Sequence, residues 1–118
     1  MVTMEKRKAK RIIEENKVKI TRIYKDKLPL DKKIIYGLTK DISSGGVRIQ
    51  GNTFLPINTL LKIELSLKEP LRLISAIGKV RWVKRRYTEE LFETGIEFME
   101  MSPGGNNVLK EHIDELEA

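Results

Sequence analysis

The sequence predicts an all-β protein with one C-terminal helix, and three observations carry that expectation. From Lys17 onward, apolar residues recur at every second position in a series of short runs, the pattern of strands buried on one face. The period changes after Ser102, where Leu109, Ile113 and Leu116 recur at helical spacing. At 118 residues and 40% hydrophobic content, the chain suits one small domain with a single modest core.

In chain order, Val18 and Ile20 alternate with Lys17, Lys19 and Thr21. Ile34, Tyr36 and Leu38 form the next run after a turn around Pro29 and Asp31, and Val47 and Ile49 then flank Arg48. Leu61, Ile63, Leu65 and Leu67 against Lys62, Glu64, Ser66 and Lys68 give the cleanest alternation, which Glu69-Pro70 ends in an implied hairpin. Residues 71–83 place Ile74, Ala76, Gly78, Val80 and Trp82 on one face, and Phe92, Thr94, Ile96 and Phe98 alternate with Glu93, Gly95, Glu97 and Met99. Six such strands favour a small antiparallel barrel or sandwich over residues 17–101. Ser102 and Pro103 then read as a cap and first helical residue, so residues 102–118 are expected to dock as one helix, Ser102 to Glu117. His112 beside its apolar stripe reads as a surface or packing residue and receives no role.

Composition excludes much chemistry. The chain has no Cys and a single His, so disulfides, thiol nucleophiles and zinc or iron–sulfur sites drop out, and no cofactor or metal is expected. The expectation is a binding protein and not an enzyme. With 34% charged residues and a mean hydropathy of -0.36, no membrane span is expected. The N-terminus is charged without an apolar stretch behind it, so a cytoplasmic location is expected.

The net charge of +6 is concentrated. Residues 1–25 hold nine basic side chains against three acids, while Lys79, Arg81, Lys84, Arg85 and Arg86 are partly offset by an acidic C-terminal stretch. Residues 1–16 show neither strand nor helix period. With five basic residues from Lys6 to Arg11, they are expected to form a mobile basic arm until an anion holds them.

Two short motifs stand apart: Arg7 and Arg11, four residues apart in the arm, and Asp41-Ile42-Ser43-Ser44-Gly45-Gly46 between two strands. The second is also a plausible turn, in which Asp and Ser accept backbone N–H bonds and glycine supplies a positive φ. Together they offer complementary chemistry for a guanine nucleotide. Guanidinium forks donate in pairs to phosphate or to guanine O6 and N7, and the Asp41 carboxylate can accept from guanine N1–H and N2–H₂. Ser43 adds a hydroxyl, and Gly45 and Gly46 let backbone N–H groups approach a ligand closely.

RxxxR at Arg7 and Arg11, followed by DxSxxG at Asp41, Ser43 and Gly46, resembles the PilZ domain family, bacterial receptor modules for cyclic di-GMP. The resemblance extends to the Gly78–Trp82 and Gly95–Phe98 strands and the terminal helix. It implies a six-stranded antiparallel barrel whose N-terminal arm closes over the nucleotide, a non-catalytic switch. It also implies that Arg7 and Arg11 clamp phosphate and the guanine Hoogsteen edge, while Asp41, Ser43 and Gly46 surround a guanine. Lys6, Gly45 and Trp82 are weaker candidates; Trp82 can face a base or guanidinium, or sit on the barrel's apolar stripe. Gly95 reads as a strand glycine relieving a crowded contact.

The leading function is therefore a cyclic di-GMP receptor whose changed surface is read by a protein partner, which the family resemblance puts in motility, secretion or exopolysaccharide machinery. The alternatives are a nucleic-acid-binding barrel and a PilZ-like adaptor that binds only protein. Only 6% of residues are aromatic, which argues against a single-strand stacking platform. The intact Arg7, Arg11, Asp41 and Ser43 argue against the adaptor.

Overall fold

The computed structural model describes residues 11–23, 34–67, 71–86 and 90–117, with the side chains of all of these except 11, 12, 116 and 117. The expectations for Lys6 and Arg7, and for residues 1–10 as a whole, lie outside the described residues.

Seven strands and one helix follow in order: β1 (Arg11–Ile13), β2 (Lys17–Arg22), β3 (Ile34–Ser43), β4 (Gly46–Gly51), β5 (Leu60–Leu67), β6 (Arg72–Arg86), β7 (Leu91–Met101) and α1 (Gly105–Glu117). The last six strands form the antiparallel barrel, in the order β3-β2-β5-β6-β7-β4, closed by the pairing of β4 back onto β3. Closure removes the exposed edges that an open sheet would present. The short β1 lies on the edge of β3 beyond the end of β2: β2 pairs with residues 34–38, and β1 pairs with residues 41–43.

The core is aliphatic. Ile42, Leu61, Ile63, Leu67, Val80 and Leu109 have no measurable exposure, and Ile20, Leu65 and Ile74 are 1% exposed. The four alternate residues of β5 are all among them, as the clean period-two run requires.

Two expectations from periodicity are corrected. In β3 the inward set is Ile35, Gly37 and Thr39, whereas Ile34, Tyr36 and Leu38 face outward, with Tyr36 70% exposed. A strand with apolar residues on both faces does not reveal its register from hydropathy. In β6, Trp82 does not share the core face of Val80. The pairings Val80 to Ile96 and Trp82 to Gly95 leave Arg81 as an extra residue, and this bulge turns the indole outward.

The helix also starts later than expected. Residues 103–104 form a turn, with Gly104 at φ 79° and the Gly105 N–H donating to the Ser102 carbonyl at 2.8 Å. Gly104 supplies the left-handed residue that lets the chain leave β7 and enter α1 at Gly105. Leu109 and Ile113 then close one end of the core. Among the described residues, no helix is long and apolar enough to cross a membrane.

Candidate functional site

The DxSxxG motif occupies the end of β3 and the start of β4. Ser44 and Gly45 form a two-residue turn, so Ser43 pairs with Gly46, Ile42 with Val47, and Asp41 with Arg48. Ile42 points into the core, leaving Asp41 and Ser43 on the outer face. That outcome depends on a second bulge: Lys40 is the extra residue between the Thr39 to Ile49 and Asp41 to Arg48 pairs. Without it, the parity of β3 would turn Asp41 inward with Thr39.

Cross-strand pairing assembles two rows on the outer surface. Ser43, Gly46, Glu97 and Lys79 form one, with the Arg11 backbone paired to Ser43 at its end; Ile13, Asp41, Arg48, Gly95 and Trp82 form the next. The Arg11 backbone thus sits directly opposite Ser43, so the second arginine of RxxxR and the DxSxxG loop are neighbours. Arg7 and Lys6 lie outside the described residues.

The loop is held by its own polar groups. Ser43 Oγ accepts the Gly45 N–H at 3.2 Å and donates to the Gly46 carbonyl at 3.4 Å. The Gly45 carbonyl accepts the Phe98 N–H at 2.9 Å. Neither glycine takes a positive φ, which corrects that part of the turn expectation. Gly46 is required for a different reason: a Cβ there would stand 2.4 Å from the Ile96 carbonyl oxygen, so only glycine lets β4 lie this close to β7. Gly45 is exposed, and a Cβ there would meet nothing closer than Ser43 Oγ at 4.0 Å. Its outer side is therefore open to a ligand.

Asp41 is 6% exposed and accepts from Arg48 Nε at 2.7 Å. Arg48 also donates to Glu93 Oε1 at 3.1 Å, and Glu93 Oε2 accepts from an Arg86 guanidinium nitrogen at 2.5 Å. Burial alone would push the Glu93 carboxyl up, but the hydrogen bond from Arg86, followed by that from Arg48, holds it below the usual range. The bond to Asp41 chiefly, with Glu93 assisting, keeps Arg48 more firmly protonated than an ordinary arginine. The motif pattern does not point to Arg48, Glu93 or Arg86. For Arg48 one signal exists in the sequence: a two-residue turn between Ser43 and Gly46 places Asp41 opposite it.

Trp82 is 40% exposed and covers Gly95, where a Cβ would fall 2.0 Å from the indole nitrogen. Gly95 is thus the strand glycine that relieves a crowded contact. The remaining face of the indole lies on the same row as Asp41. The rows and the adjoining turn bring together the Asp41 carboxylate and the Ser43 hydroxyl, both nearly buried and paired within the barrel, the uncovered backbone of Gly45 and an aromatic face, a set that suits a flat base with donor groups on its edge. A cavity of about 400 Å³ lined by Thr21, Arg22, Lys62, Ser75, Ile77 and Glu100, among others, shares no residue with these rows. Among the described residues, no group of three His, Asp or Glu side chains is arranged to hold a metal.

The family model for the PilZ domain matches residues 5–115. The chain belongs to the PilZ family. This PilZ domain is also similar in fold to several solved structures. The Bacillus subtilis inhibitor of motility MotI/DgrA has a TM-score of 0.78 at 19% identity, over 97% of this chain and 52% of that one. YcgR from Escherichia coli, in complex with c-di-GMP, has a TM-score of 0.75 at 17% identity, over 96% and 46%. The K. pneumonia MrkH–c-di-GMP complex has a TM-score of 0.73 at 20% identity, over 96% and 52%. The chain therefore spans about half the length of each of these relatives. No curated protein sequence matches it.

Proposed function

We propose that this PilZ domain is a receptor for cyclic di-GMP, with Arg7, Arg11, Asp41, Ser43 and Gly46 as its binding residues. The observation that carries the reading is the register of β1, which pairs the Arg11 backbone with Ser43, two pairs along the ladder from Asp41. Two of the similar structures, those of YcgR and MrkH, are complexes with c-di-GMP, which supports the same ligand class. In this reading the arm closes over the nucleotide. The arginines clamp phosphate and the guanine Hoogsteen edge, Asp41 accepts from N1–H and N2–H₂, and Gly45 leaves room for the base. Lys6 and Trp82 are secondary contacts. The domain acts as a binding switch without catalysis, and the surface altered by the closed arm is read by a protein partner.

The test is calorimetric titration with cyclic di-GMP, cyclic di-AMP and a random DNA duplex. Binding confined to cyclic di-GMP is expected, because adenine lacks the N2 amine that Asp41 would meet. Arg7→Ala is expected to lower affinity roughly ten- to a hundredfold, the loss of one charge-assisted contact. Equal affinity for cyclic di-AMP would remove the role of Asp41. Preferential binding of the duplex would replace this reading with a nucleic-acid module. Among the described residues, Arg81 pairs with Glu97 and Arg86 with Glu93, so the second basic group is partly neutralised and does not form an open phosphate track.

A further inference from the structure

The segment that delivers Arg11 to the site is held by the opposite end of the chain. A strand of three residues is too short to be secured by its own ladder, and Ile13 adds no burial, being 89% exposed. The next residue, Glu14, leaves the ladder over the Lys40 bulge. Its N–H donates to the Lys40 carbonyl at 3.2 Å and its carbonyl accepts from Thr39 Oγ1 at 3.1 Å. Its side chain reaches into the body, where Oε1 stands 2.8 Å from His112 Nε2 and accepts from Asn16 Nδ2 at 2.5 Å. Asn16 is 1% exposed and ties the segment to β3: its carbonyl accepts the Thr39 N–H at 2.8 Å, and its N–H donates to Thr39 Oγ1 at 2.9 Å. His112 is 2% exposed on α1, between core residues Leu109 and Ile113, and 98 positions away from Glu14.

We propose that His112 and Glu14 are positioning residues for the nucleotide site: α1 fixes, through their hydrogen bond, the register in which the arm presents Arg11 to Ser43. The proposal rests on the receptor reading, and it makes the C-terminal helix a determinant of ligand affinity although α1 contributes nothing to the outer rows. A buried polar bond between two distant elements has one satisfied geometry, so it selects a single placement of the segment where apolar contact would tolerate several. Once Glu14 is fixed, the three residues of β1 follow in order along β3, and Arg11 arrives opposite Ser43.

The experiment has two arms on the full chain. In the first, amide exchange at residues 11–14 is followed by NMR without ligand for wild type, Glu14→Ala, His112→Leu and His112→Gln. Faster exchange is expected for Glu14→Ala and His112→Leu, while Gln, whose amide nitrogen can still donate to Glu14, is expected to restore protection. In the second arm, calorimetry with cyclic di-GMP is expected to show about tenfold or greater loss for the first two variants and recovery with Gln. Val108→Ala, on the same helix, serves as the control: it should lower the melting temperature and leave affinity unchanged, which separates positioning by His112 from a general loss of helix packing. Glu14 is at the surface end of the pair, so Glu14→Ala keeps the test decisive if His112→Leu fails to fold. Wild-type exchange and affinity in Glu14→Ala would overturn the proposal, as would an affinity loss in Val108→Ala equal to that in Glu14→Ala. If wild type does not bind the nucleotide, the receptor reading fails, and the exchange arm alone decides the anchoring.

Discussion

Gly45 and Gly46 are adjacent and chemically identical, yet the barrel uses them for different ends. Gly46 is packed between β3 and β7, and an added Cβ would press on the Ile96 backbone carbonyl, which belongs to a ladder and cannot rotate away. Gly46→Ala should cost about 1–3 kcal/mol, the usual penalty for forcing a methyl group into a filled space. Gly45 faces open space and does not take a positive φ, so Gly45→Ala should melt like wild type. It should nevertheless weaken cyclic di-GMP binding, because the methyl group would stand where the base approaches. Thermal melts and calorimetry of the two variants separate these roles. If Gly45→Ala bound as wild type does, the open side of the loop would not be the ligand's side.

At the scale of the strands, a chain of alternating charges joins β3, β4, β7 and β6: Asp41, Arg48, Glu93 and Arg86. Because Glu93 is held ionised below its ordinary value of 4.5, its bonds stabilise the fold above that range and are lost as pH falls through the lowered value. Glu93→Gln should therefore cost about 1 kcal/mol near neutrality, with the half-exposed Arg86 limiting the amount. The gap from wild type should begin to close as pH falls through the ordinary value of 4.5 and vanish once pH has passed the lowered one. Chemical denaturation across that range checks it, and a constant gap would show that the loss is one of shape and not of charge. The same strands show what periodicity can and cannot reveal. In β5 every second residue is apolar and buried, and the register is legible in the sequence. In β3, Ile35 and Tyr36 are both large and apolar, and only the position of the ladder shows which faces inward. The bulges at Lys40 and Arg81 each reverse the parity of the residues after them, so Asp41 and Trp82 reach the same outer row by a route that hydropathy does not record. The motif residues Asp41, Ser43 and Gly46 are legible because a short turn fixes their spacing. The Glu14 to His112 bond is not, since nothing local links residues 98 positions apart.

Over the whole molecule, the proposed switch is a redistribution of charge. The first 25 residues carry an excess of six positive charges, equal to the net charge of the chain. Closing the arm over the nucleotide would bring much of that charge onto the face that holds Asp41 and Trp82, a change a protein partner can read. Residues 11–13 already pair with β3, so the change on binding is expected upstream, at residues 1–10, which contain Lys6, Arg7, Lys8 and Lys10. Hydrogen exchange should therefore report new protection there at saturating cyclic di-GMP, with little change in the barrel. Salt provides an independent check. Cyclic di-GMP carries two phosphates and holds few condensed counterions, so affinity should fall only gently with ionic strength, unlike the steep dependence expected if many phosphates of a duplex were neutralised. If residues 1–10 exchanged alike with and without the nucleotide, arm closure would not be the switch. The signal would then have to come from the outer rows of the barrel, where a bound ligand would compete with the bond that Asp41 accepts from Arg48.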